Sequence, residues 1–181
     1  TRGLDMVSHR RIQGGIGDAI VQLATVEAEV RRERLASLFV EPDLAPLLRT
    51  LLRLRHDFVM IGRAVVVPLP EIFQARLGPA LARFRASATD YLQRSSAALL
   101  GRRAPPTLDA VEEALGDYGA AMAACRSEGL TRDLSGDVVE RIFTLGFALE
   151  QLNRDFRDLE RCVAGISRPA MPRVLAHRRR E

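Results

Sequence analysis

Three stretches of the chain hold residue types from which a chemical site could be built. "RLRHDFVMIGRA" at 53–64 sets His56 beside Asp57 between arginines, "EQLNRDFRDLER" at 150–161 carries Glu150, Asp155 and Asp158, and "QGGIG" at 13–17 is rich in glycine. A His-Asp pair suggests a general base with its orienting carboxylate. Adjacent helix residues, however, point about 100° apart and do not face one another. No Ser or Cys nucleophile is identifiable nearby. A dinuclear metal centre in a helical bundle would need Glu-x-x-His partners, which the sequence lacks. Glu150, Arg154, Asp158 and Arg161 instead succeed one another at spacings of four, four and three. Such pairs lace a solvated helix face at about 0.2–0.5 kcal/mol each, and Asp155 is read as part of that face. The glycines lack the preceding strand and the lysine of a phosphate loop, and fit close helix packing or a local break. No catalytic, cofactor-binding or metal-binding residue is assigned, and the chain is read as a non-enzyme.

The elements that would position these residues are helices. Proline and glycine cut the chain into five helical segments. The first is expected from about Leu4 to Phe39. Asp43 then caps a second helix with Pro46 in its first turn. "VPLP" at 67–70 stops that helix, and Pro70 opens the third at its N1 position. Gly101 and "RRAPPT" end the third, Thr107 caps the fourth, Gly129 closes it, and Ser135 caps a fifth that runs to Pro169.

Periodicity sets the class. Val138, Ile142, Leu145, Leu149, Leu152, Phe156, Leu159, Val163 and Ile166 alternate in steps of four and three along the fifth helix. The first (Ile12, Ile16, Ala19, Leu23, Val26, Val30), the second (Leu44, Leu47, Leu51, Leu54, Phe58, Ile61, Val65) and the fourth (Leu108, Val111, Leu115, Tyr118, Met122, Cys125) do likewise. This is the seam of nearly aligned helices in a left-handed bundle. The expected fold is all-α: an elongated bundle of about five long helices with coiled-coil-like seams. With Leu44 at heptad position a, Leu48, Leu52, Val59, Gly62 and Val66 widen the apolar arc of the second helix, which is therefore expected to be the central one. Arg49, His56 and Arg63 fall together on position f, opposite that core, where they face outward and are available to a partner. Asp57, on g, is expected beside them.

All 27 basic residues are Arg, but their placement matters more than their identity. Residues 168–181 carry five Arg and one Glu, so the whole net charge of +4 lies there, and the preceding body is neutral. The expected organisation is a bundle domain over 1–168 and a basic tail over 169–181. A neutral body argues against a specific nucleic-acid face. Cys125 and Cys162 form no motif and fit small hydrophobic roles in helices. The longest apolar runs, such as "IFTLGFAL" at 142–149, are too short to cross a bilayer.

Taken together, "LLRLRHDFVMIGRA" at 51–64, "PLPE" at 68–71 and "ERIFTLGFALEQLNRDFRDLERCV" at 140–163 resemble the soluble helical region of the fusaric acid resistance (FUSC) family of bacterial inner-membrane proteins. The resemblance implies a segment of a larger transporter-like protein, a cytoplasmic helical domain between two transmembrane bundles. Efflux of aromatic carboxylic acids and related toxic compounds is the activity it implies for the whole. The implied partners are the transmembrane bundle of the parent chain, further copies in a homo-oligomer, and an anionic membrane surface met by Arg173, Arg178, Arg179 and Arg180. The implied location is the cytoplasmic face of the inner membrane. This chain departs from the family in having no membrane span, so no substrate residue carries over. A reading from a different class is a free-standing helical adaptor or scaffold that mediates protein–protein contacts.

Overall fold

The computed structural model describes residues 6–33 and 43–167. Among them are five helices and no strand: α1 (Met6–Glu33), α2 (Ala45–Val65), α3 (Glu71–Gly101), α4 (Asp109–Ser127) and α5 (Gly136–Ser167). The all-α bundle is as the heptads require. α5, at 32 residues, is about 48 Å long.

The ends of the helices follow local chemistry. Leu44, rather than Asp43, occupies the cap of α2, and Asp43 Oδ1 accepts a hydrogen bond from the Ala45 N–H at 3.2 Å from one residue further out. Pro70 sits one residue earlier than expected, as the cap itself, and its carbonyl receives the N–H groups of Phe73 and Gln74. Leu108, rather than Thr107, occupies the cap of α4. Gly129 adopts a φ of +76°, open to it because it has no Cβ, and the Leu130 N–H then reaches back to the Cys125 carbonyl at 3.0 Å.

α5 is the central helix, packing on α2, α3 and α4, while α1 packs on α2. This corrects the expectation that α2 occupies the centre. The seam of α5 is buried as its pattern dictates, and a second stripe, Ala148, Asp155 and Cys162 at intervals of seven, faces α2. On α2 the buried positions are Leu47, Thr50, Leu54, Asp57 and Ala64. Its inward face is thus rotated from the one expected. Leu52, Val65 and Val66 are exposed, because the polar Thr50 and Asp57 and the small Ala64 take the line that apolar content alone gave to larger residues. In α1, Ile20 is buried while Ala19 and Val26 are exposed, a similar small rotation; the side chains of Ile12 and Val30 lie outside the described residues.

α3 contributes a seam of small and aromatic residues: Phe73, Leu77, Ala80, Phe84, Ala88, Tyr91, Ser95 and Ala98. Tyr91 stacks at a tilt on Phe156, with ring centres 5.1 Å apart, and its hydroxyl donates to the Phe156 carbonyl at 2.9 Å. Tyr91→Phe removes that buried bond and should lower stability by about 1 kcal/mol in a urea melt. Arg76–Glu128 and Arg83–Asp117 tie α3 to the α4 region, and Arg157–Glu112 ties α5 to α4.

Candidate functional site

The two acid-bearing stretches singled out from the sequence meet where α2 crosses α5. Asp57 is 3% exposed and Asp155 2%, so neither lies on a solvated face. Both expectations for these carboxylates are corrected, and the reason is the helix rotation just described. Asp57 shares the inward line of Leu47, Leu54 and Ala64, and Asp155 shares the α2-facing stripe of Ala148 and Cys162.

Arg53 joins the two helices. Its Nε donates to Asp155 Oδ1 at 2.8 Å, its Nη2 pairs with Asp158 Oδ2, and Nη2 also lies 3.4 Å from the Thr50 hydroxyl. Asp158 is thereby shared between Arg53 and Arg161, the latter at 2.7 Å. Of the expected lacing, Glu150–Arg154 at 3.8 Å and Asp158–Arg161 are present. Arg154 turns its Nη1 to Gln151 instead of to Asp158.

One guanidinium does not satisfy this cluster. Asp57 Oδ2 and Asp155 Oδ2 are buried, and no donor of another described residue reaches either. Two ionised carboxylates in one buried site repel, and each accepts hydrogen bonds only. The outcome is a held proton. Burial above all, then the charge of Asp155 and a hydrogen bond with it, push the Asp57 carboxyl up to about 7, against the pull of Arg53. The Arg53 guanidinium is in turn held more firmly protonated, chiefly by its hydrogen bond to Asp155.

Beside the acid pair lies a cavity of about 440 Å³. Leu52, Met60, Phe147 and Ala148 supply its apolar lining, and Arg53, His56, Asp57, Gln151 and Asp155 its polar one. Phe147 and Leu52 are 65% and 45% exposed. Among the described residues no group of three His, Cys, Asp or Glu is placed to hold a metal ion.

The residues assigned to a partner face, Arg49, His56 and Arg63, are all exposed. His56 also lines the cavity, so the His-Asp pair is divided: the imidazole is outside and the carboxylate inside. His56→Ala should change stability by no more than about ±0.5 kcal/mol in a thermal or urea melt. The glycine run behaves as ordinary helix. At Gly14 and Gly15 an added Cβ meets nothing, and only Gly17 approaches a neighbour, the Arg55 guanidinium at 3.6 Å. Cys125 is buried, Cys162 half-buried, and neither forms a disulfide. The basic residues Arg173, Arg178, Arg179 and Arg180 lie outside the described residues.

Sequence reasoning missed Arg53 and Asp155 as a pair and placed Asp57 on the wrong side. One signal was present: Arg53 and Asp57 are four apart on one face, and Asp155 repeats the register of Ala148 and Cys162. Compared with protein-family models, curated proteins and solved structures, the chain matches none.

Proposed function

We propose that this chain is the cytoplasmic helical domain, with an assembly or regulatory role, of a FUSC-like efflux protein of the bacterial inner membrane. The cargo class on that reading is aromatic carboxylic acids or related toxic compounds. The observation that carries the proposal is where the resembling stretches fall. Residues 51–64 belong to α2 and residues 140–163 to α5, and these two helices form the most extensive contact of the fold and enclose its buried charged cluster. The resemblance is therefore concentrated on one physical unit.

No helix among the described residues is long and apolar enough to cross a membrane, so the spans belong to other parts of the parent protein on this reading. The arginines of the tail then play the part of a cytoplasmic flank. Such clusters mark the inner side of a span, and each contributes about 1 kcal/mol of attraction near an anionic leaflet. The domain carries no reaction of its own. Its role is to hold the parent's copies together or to set their state.

Topology mapping of the full-length parent tests the placement. A reporter fused after Arg180 should read cytoplasmic, and one after the next apolar span periplasmic. A periplasmic signal at Arg180, or the lack of any downstream span, overturns it. The adaptor reading draws on exposed Phe143 and Phe147, an apolar surface on α5 that a partner protein could cover. It predicts a parent frame with no apolar run of about 20 residues on either side.

A further inference from the structure

Beyond that reading, we infer that the cavity between α2 and α5 is a binding site for an amphipathic organic cation, an ammonium or amidinium group joined to a small apolar body. Charge comes first. Asp57 from α2 and Asp155 and Asp158 from α5 face two guanidiniums, that of Arg53 and, at Asp158 alone, that of Arg161. The cluster keeps one negative charge, or none when a proton is held. The Nε and Nη2 of Arg53 are already committed to Asp155, Asp158 and Thr50. An incoming anion would meet the carboxylates of Asp57 and Asp155, which line the cavity.

Hydrogen bonding points the same way. Asp57 and Asp155 both line the cavity, and each keeps one buried oxygen that no donor of another described residue reaches, so the pair is joined through the held proton alone. Ionised carboxylates accept and never donate, so the missing component is a donor, and a cationic donor also cancels charge. The held proton is the smallest species that meets this need, and an ammonium meets it with three N–H groups. Binding is an exchange in which the cation enters and the proton leaves to solvent.

Shape supplies the rest. About 440 Å³ is within the range of small-molecule sites. Leu52, Met60 and Phe147 form the apolar side, and two of them stand open to solvent without the ligand. An apolar body laid on them buries that surface while its charged end reaches the carboxylates.

Three probes sharing one body and differing in the head group test this on the full chain: 2-phenylethylammonium, 2-phenylethanol and phenylacetate, titrated by calorimetry and by amide chemical shifts at low salt. At pH 8 the cation should bind at least tenfold tighter than either of the others, with shifts centred on residues 52–60 and 147–155. Its affinity should fall as pH drops from 8 to 5.5, with protons released to buffer, because the held proton competes. Asp57→Asn should weaken the cation at least tenfold without lowering the melting temperature, and Phe147→Ser should weaken it severalfold with the fold intact. Phenylacetate binding as tightly as the cation overturns the inference. So does the absence of cation binding at millimolar concentration, or an Asp57→Asn variant that binds the cation unchanged.

Discussion

Replacing Asp57 with Asn is expected to stabilise the folded chain at pH 8 by about 2–4 kcal/mol, an unusual direction for a change at a buried position. The carboxyl of Asp57 is pushed up to about 7, above the ordinary 3.8, because ionisation there must overcome burial and the nearby Asp155. The folded state therefore binds more protons than the unfolded state between about pH 4 and pH 7. Stability contributed at this site is fully present below pH 4, is lost as pH rises through that window, and levels off above it. Asn has the same shape, stays neutral, and can donate its amide N–H to Asp155, so the variant should lack the decline. Urea melts at pH 4.5, 6 and 8 measure it directly. Parallel pH profiles for the two proteins, or a less stable variant at pH 8, would show that the pair is not a strained acid cluster.

The opposite sign belongs to Phe156. Its side chain is fully buried at 0% exposure, and its ring meets Tyr91 where α5 passes α3. Phe156→Ala removes the transfer energy of the ring and leaves a cavity that long, rigid helices close only in part. The expected loss is about 3–5 kcal/mol, read as a lower urea midpoint with an unchanged slope. A loss below about 1 kcal/mol would mean that the α3–α5 seam is not packed as described. Phe147→Ala, nine residues earlier on the same helix but open to solvent, should stay near zero and serves as the control.

The legibility of these features in the sequence follows their chemistry. The seams of α4 and α5 were readable because large apolar residues mark them without interruption, and Leu108, Val111, Leu145 and Leu149 are all buried. α3 gave no heptad seam because Ala80, Ala88, Ser95 and Ala98 fill its inward line, and small residues carry little periodic signal. α2 was readable as a helix but not as an orientation. A wheel set with Leu44 at position a puts Asp57 on g and widens its apolar arc toward Leu52 and Val66, whereas the buried residues follow d and g. The candidate site failed to show for the same reason. A buried acid pair violates the hydrophobic pattern from which burial is inferred, so the pattern hides what is least ordinary about the fold.

The contact between α2 and α5 also has a history in time. Arg53 and Asp155 are 102 residues apart in the chain, whereas α3 and α4 are joined by a short connection and pack on each other directly. Closing a long loop must precede any reward from the contacts it brings together, so local pairs form first. The α3–α4 hairpin is the expected nucleus, α5 adds to it, and α2 closes on α5 late. Substitutions at Asp57 should then leave the refolding rate nearly untouched and alter the unfolding rate, while substitutions in the α3–α4 seam should do the reverse. Stopped-flow chevrons for Asp57→Asn and Val111→Ala separate the two. The charged contact is thus the last door of the bundle to shut and the first to open, and whatever binds there sets how long the native state lasts.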